Sequence, residues 1–224
     1  MFPLRDTYRA RTYPFVTYII IALNVLVFLI EITSANVDEF ITKYALIPAL
    51  VNFSNLESLT PFISSQFLHA GLLHILSNMW FLRIFGDNVE DKFGGIFYLF
   101  VYLLSGLIGG FIQYFFAVDS TIPMLGASGA VAGVLGAYYV FFPHHKVETL
   151  VPLGFFVTRV NIPAGIMLFY WFITQIFSGV GSIAIAQIGG VAFWAHVGGF
   201  TTGWIIARLV NNFSKGVEEG ELLD

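Results

Sequence analysis

The chain has 224 residues, of which 57% are hydrophobic and only 11% charged, with a formal net charge of −4. A soluble domain is nearer a quarter charged, so this composition asks for the apolar surroundings of a bilayer. Mild acidity excludes an electrostatic nucleic-acid binder. The lack of cysteine excludes disulfides, thiol catalysis and cysteine-held metal.

The first apolar run, Phe15 to Ile30, follows Arg5, Arg9 and Arg11, the layout of a signal peptide. It is long for that role, and Thr33-Ser34-Ala35 is a poor cleavage site, so it reads as a retained anchor. Runs long enough, or nearly so, to cross a bilayer fall at about 15–32, 71–86, 94–117, 123–142, 162–180 and 190–210. The second is short and flecked with polar residues. Pro14, Pro123 and Pro163 stand near span starts, where a missing N–H costs least. The expectation is an all-α, polytopic membrane protein. One six-helix unit covers 1–213, and a disordered acidic tail follows over 214–224. The connection at about 33–70 reads either as short amphipathic helices in the interface or as an ordinary folded loop.

Lysine and arginine set the direction. Arg5, Arg9, Arg11, Arg83, Lys92, Lys146, Arg159, Arg208 and Lys215 fall on one side, and the other connections carry only Lys43. The positive-inside rule puts both termini in the cytoplasm. The small size suggests a prokaryotic cytoplasmic membrane.

Polar residues inside spans are costly and are functional candidates by default. They are Asn24, His74, Ser77, Asn78, Gln113, Ser128 and His196. No Asp or Glu lies well inside a span, which weakens a pump or antiporter reading. His74 and Asn78, spaced i, i+4, share a helix face in the outer part of span two. Ser128 lies near the outer end of span four, and His196 lies just inside span six. Three spans therefore bring Ser, His, His and Asn to one depth. Gly126, Gly129 and Gly133 on span four and Gly199 and Gly203 on span six have the spacing that lets membrane helices approach closely. Taken singly, such a serine more often bonds its own helix, and GxxxG means only packing. Together they supply a nucleophile, a base and oxyanion donors, the parts of an acyl-transfer site. Asn24 and Gln113 read as packing polar groups, His69 as a residue at the membrane surface, and His144 and His145 as solvated.

Gly126-Ala127-Ser128-Gly129 resembles the serine motif of rhomboid intramembrane proteases. Ala195-His196-Val197-Gly198-Gly199 resembles their histidine motif, and His74-Ile75-Leu76-Ser77-Asn78 their His-x-x-x-Asn motif. The resemblance covers about 15–210 and implies a six-helix rhomboid-like bundle with a Ser–His dyad in a water-filled cavity. It implies transmembrane-helix substrates cut near their outer ends. Ser128 would be the nucleophile and His196 the base, with His74, Asn78 and the Ser128 N–H holding the oxyanion. Family members often carry a tyrosine four residues after the serine to pack on the histidine. Here that place is Ala132, leaving Trp194 or a nearby phenylalanine for the job. The Trp-Arg pair of some first external loops is missing at Thr60-Pro61-Phe62.

No cofactor is expected and no metal. There is no His-Glu-x-x-His, no pair of membrane aspartates and no deep lysine for a Ser–Lys dyad. Span five, rich in phenylalanine and followed by a glycine-rich connection, is the expected lateral gate for substrate. The rival readings are a non-catalytic binder of membrane helices and a channel or transporter. Partners are accordingly the lipid bilayer and transmembrane protein substrates, with no nucleic acid.

Overall fold

The computed structural model describes residues 2–8, 10–154, 156–183 and 191–221. Arg9, the connection 184–190, which includes the expected start of span six, and tail residues 222–224 lie outside the described residues.

A helix that crosses lipid should turn its apolar side outward, and α1 (Phe15–Thr33) does so. Its buried stripe is Thr17, Ile20, Asn24, Phe28 and Glu31, at i, i+3, i+4 spacing. Thr17, Asn24 and Glu31 are 1%, 0% and 2% exposed, while Ile19, Leu23, Leu26, Leu29 and Ile30 face outward. Burial here is the inverse of a soluble protein's. Pro14 offers α1 no side-chain cap. The Glu90 carboxylate, from the far end of another helix, accepts instead from the Val16 N–H (2.9 Å), the Thr17 N–H (2.8 Å) and the Thr17 hydroxyl (2.8 Å). It satisfies two of the orphan donors at a helix start and puts negative charge at the positive end of the dipole. At the other end, Glu31 accepts from the His69 N–H at 3.1 Å.

The connection after α1 folds into α2 (Val37–Tyr44), two single 3-10 turns, α3 (Pro61–Ser64) and a third 3-10 turn. α2 starts at Asn36, whose side chain accepts from the Glu39 N–H. Phe62 is buried and stacks on Phe111 at 4.1 Å, which fixes this connection to the bundle. α4 (Leu72–Phe93) and α5 (Gly95–Phe116) meet at a single residue, Gly94. Its φ of 74° is left-handed, a turn that glycine makes without Cβ strain. α6 (Ser128–Phe141), α7 (Ala164–Ile183) and α8 (Phe193–Glu221) complete the bundle. α8 stays helical into the acidic segment, as far as Glu221. By length and composition, α1, α5 and Ala164–Ser182 of α7 suffice to cross a membrane, three among the described residues. α6 is a shorter apolar helix, starting at Ser128 rather than near Pro123.

The all-α expectation needs correction. β1 (Phe2–Asp6), β2 (Lys146–Leu153) and β3 (Phe156–Pro163) form an antiparallel sheet in that order. Gly154, at φ 61°, begins the turn between the last two strands. Val147 and Thr149 are buried on one face, and the Trp80 indole N–H donates to the Pro3 carbonyl at 2.7 Å, fixing β1 to α4. His145 is not simply solvated: its ring stacks on Tyr8 (4.5 Å) and Phe142 (4.9 Å).

Where the sheet meets the helices, Asp6 accepts from the Tyr138 hydroxyl (2.7 Å) and the Asn88 amide (2.5 Å). Arg5 is turned to Glu148 at 2.6 Å instead. Burial pushes the Asp6 carboxyl up to about 7; the Tyr138 bond opposes this and the Asp87 charge adds to it. The folded chain thus keeps a proton that the unfolded chain releases near 3.8. Its contribution to stability is full below that value and is lost as pH rises through about 7. Asp6→Asn keeps the acceptor oxygen and removes the titration. Thermal melts of the variant should show a flatter pH dependence than wild type between about pH 5 and 8. Equal slopes would show that Asp6 titrates as in the unfolded chain.

Candidate active site

Glycine decides how close two helices can come, and here it brings α6 onto α8. A Cβ on Gly199 would collide with the Gly129 carbonyl oxygen, and one on Gly203 with the Gly133 carbonyl oxygen. A Cβ on Gly136 would strike the Phe200 carbonyl oxygen. A Cβ on Gly129 would lie 3.5 Å from the Ala195 carbonyl oxygen. The residues flanking Ser128 and His196 therefore touch backbone to backbone. Behind them, a Cβ on Gly133 would run into the Ser105 hydroxyl of α5.

Gly126 serves differently from the helix-packing role its motif suggested. It lies before α6, at φ 129°, where its missing Cβ leaves room for the His74 ring: a methyl there would stand 2.7 Å from Cε1 and 2.8 Å from Nε2. Its N–H donates to the Ser65 carbonyl (2.9 Å), and Leu46 bridges Met124 just upstream. The connection after α1 thus holds the strap that leads into Ser128. Ser128 is the first residue of α6, which has no side-chain cap. The free N–H groups of this first turn and the positive end of the helix dipole face the same end of the bundle as the serine.

Ser128, His196, His74 and Asn78 all line one cavity of about 740 Å³. Gln113, Trp171, Phe193 and Ala132 line it too. Ser77, also at its wall, donates to the His74 carbonyl at 2.8 Å in its own helix. His69 is buried within the protein and sits edge-on to His74, ring centroids 5.2 Å apart.

Two roles escaped the sequence. Gln113 is more than a packing polar group: its carboxamide oxygen accepts from the Trp194 (3.0 Å) and Ala195 (3.3 Å) N–H groups. It caps the helix that carries His196. The seat of the His196 ring is also different from expectation. Its Nδ1 lies 2.7 Å from Gln175 Oε1, and the ring stacks on Trp171 at 5.8 Å. Phe193 meets it edge-on at 6.4 Å, while Trp194 is spent on Phe116, stacked at 3.9 Å. Gln175 and Trp171 stand i, i+4 on α7, so one helix face carries both, a spacing present in the sequence but without meaning until their partner His196 is known. Among the described residues no cluster of three metal-binding side chains occurs.

Lipid-facing helices around a polar cavity holding serine, histidine and asparagine define a helical integral membrane protein. The Rhomboid domain family matches residues 56–213, and the chain belongs to the rhomboid family. It is 33% identical over 156 residues to the rhomboid protease GlpG of Haemophilus influenzae, covering 67% of this chain and 71% of that protein. The rhomboid protease GluP of Bacillus subtilis is 34% identical over 139 residues, 60% of this chain and 26% of that protein. The mitochondrial RHOMBOID-like protein 6 of Arabidopsis thaliana is 31% identical over 148 residues, 66% and 42% of the two chains. The matches to the plant relatives span less than half of their length, 31% to 42% in four of them.

The helix contact generates a direct test. Gly199→Ala should lower stability by about 1–3 kcal/mol, since the new methyl meets backbone that has no rotamer to change. Gly181→Ala in α7, where a Cβ meets nothing within 4 Å, is the control and should be neutral or slightly stabilising. Melting both in detergent checks this; equal melting temperatures would remove the close-packing argument.

Proposed function

We propose that the protein is an intramembrane serine endopeptidase that cuts transmembrane-helix substrates near their outer ends. The observation that carries this is the convergence of Ser128, His196, His74 and Asn78 on one cavity at the start of α6. Membership of a family that includes named proteases supports it. A helix in lipid has its peptide bonds paired internally and shielded from water, so hydrolysis requires a polar cavity at membrane depth.

In this mechanism Ser128 Oγ attacks the scissile carbonyl carbon as its proton passes to His196 Nε2. The tetrahedral oxyanion is held by the Ser128 N–H at the helix start, with His74 and Asn78 as side-chain donors. His196 then gives its proton to the leaving amine, and the C–N bond breaks to leave an acyl-serine. Water, deprotonated by His196, attacks that ester, and the proton returns to Ser128 as the acid product leaves. No carboxylate is required, so this is a dyad rather than a triad.

The six helices would span the membrane as one unit, residues 1–213, with both termini cytoplasmic. The lysine and arginine distribution supports that direction. So does the sheet, which joins β1 to the β2–β3 connection and needs them on the same side. α7 would be the lateral gate. Its chief packing partners are α8, α6 and β3, and it exposes Ile166, Phe169, Tyr170, Phe177 and Val180. Both α7 and α4 contribute walls to the cavity, so a space between them would open onto the serine.

Cleavage of a single-span reporter by the purified protein should be lost in Ser128→Ala and in His196→Ala. His74→Ala or Asn78→Ala should lower the rate, each by up to about 10²–10³-fold. Equal cleavage by wild type and Ser128→Ala would exclude the mechanism. Because the chain has no cysteine, one pair introduced into α4 and α7 can be cross-linked uniquely. The cross-link should abolish cleavage of the membrane substrate, and full activity after complete cross-linking would rule out α7 as the gate.

A further inference from the structure

A histidine that serves as a base must expose an unprotonated nitrogen to its nucleophile, and nothing in a neutral imidazole fixes which nitrogen that is. Ala132, the residue one turn after Ser128, lines the cavity with only a methyl group and cannot hold the ring. The restraint comes from across the cavity. Gln175 Oε1 lies 2.7 Å from His196 Nδ1, and both residues are only 8% exposed.

The orientation of the Gln175 amide follows from its other contacts. Its Nε2 lies 3.4 Å from the Trp171 carbonyl oxygen and 3.3 Å from the Thr174 hydroxyl. That hydroxyl already donates its hydrogen to the same Trp171 carbonyl at 2.6 Å, so both groups near the Gln175 amide need a donor. Turning the amide over would set its oxygen against a carbonyl and a committed hydroxyl. The NH₂ therefore faces its own helix, and the oxygen faces His196. An oxygen there can only accept, so the proton resides on Nδ1 and Nε2 is left free.

We propose that Gln175 is a positioning residue for His196: it holds the Nδ1 proton and so presents Nε2 unprotonated to Ser128. Trp171, one turn earlier on the same helix, stacks on the ring and limits its rotation. Both restraints come from α7. Competence of the base therefore depends on α7 being seated against α8, and a chain whose α7 has swung away carries an unrestrained histidine. The purpose of the arrangement rests on the protease reading above, but its geometry can be tested without activity.

The experiment is ¹⁵N spectroscopy of histidine-labelled protein in detergent, with His196 assigned by His196→Ala, in wild type, Gln175→Met and Gln175→Glu. Met matches the volume of Gln and cannot accept a strong hydrogen bond; Glu retains an acceptor oxygen whether or not it is ionised. Wild type and Gln175→Glu should show His196 protonated at Nδ1, and Gln175→Met should lose that preference. An Nε2-protonated ring in wild type, or an unchanged ring in Gln175→Met, overturns the proposal. In the reporter assay, kcat of Gln175→Met should fall by roughly 10–100-fold with KM little changed, and Gln175→Glu should recover most of it. A packing role alone would favour Met over Glu and would leave the tautomer where it was. Should the tautomer behave as stated while no variant, wild type included, cleaves the reporter or labels at Ser128 with a fluorophosphonate, the protease reading fails and the positioning stands.

Discussion

The arrangement of this protein depends on the backbone contact between α6 and α8. Gly199 rests on the carbonyl of Gly129 and Gly203 on that of Gly133, positions where a side chain of any size would part the helices. Lipid gives no hydrophobic drive for two apolar helices to meet, since tails solvate leucine as well as leucine does. What remains is close packing, and glycine allows the closest. Ser128 lies one residue before the first of these contacts and His196 three residues before Gly199, so the same contact that holds the bundle together brings serine and histidine to one cavity.

Polar groups away from that contact are used to end and align helices. The Glu90 carboxylate caps α1, the Gln113 carboxamide caps α8, and Ser65 holds Gly126 ahead of α6. In water, unpaired N–H groups at a helix start would be solvated at little cost. In a bilayer each must find a protein partner. Distant side chains supply it here, so the caps also act as tertiary contacts. Gln113 fixes the start of the helix two residues before His196, and this connects the depth of a span end to the placement of a ring.

Much of this was legible in the chain. Each apolar run overlaps a long helix, because a bilayer requires continuous apolar segments, but α4 and α8 run on well past the ends of theirs and α6 starts five residues into its own. The motif glycines and the polar residues at one depth were visible for the same reason: in an apolar run a serine or histidine stands out. The sheet was not legible. Lys146 to Pro163 alternates as a strand hairpin around Gly154, but its first partner is Phe2–Asp6, some 140 residues away, and a five-residue strand has no periodicity of its own. Gln113 and Gln175 were missed or undervalued because a glutamine in a span looks like an isolated packing group until its partner, on another helix, is known. Glu31 and Glu90 carry no sequence signal of their roles either, because the partners that make them buried and engaged lie on other segments.

The choice of a neutral amide behind His196 has a physical logic. A carboxylate at that position would orient the ring equally well and, in the proposed reaction, would also stabilise the imidazolium formed when His196 takes the Ser128 proton. It would have to be stripped of water on a helix that meets lipid, and a hydrogen bond from a ring that is neutral in the resting state offsets only part of that loss. Glutamine fixes the tautomer without burying a charge, and it gives up the extra stabilisation of the charged intermediate. The same reasoning bears on α7. A helix bound to the bundle by a buried ion pair would part from it reluctantly, whereas α7 meets α8 through a neutral hydrogen bond at His196 and through ring stacking, Trp171 on His196 and Phe172 on Phe200 at 4.5 Å, contacts that leave no unpaired charge in apolar surroundings if they open.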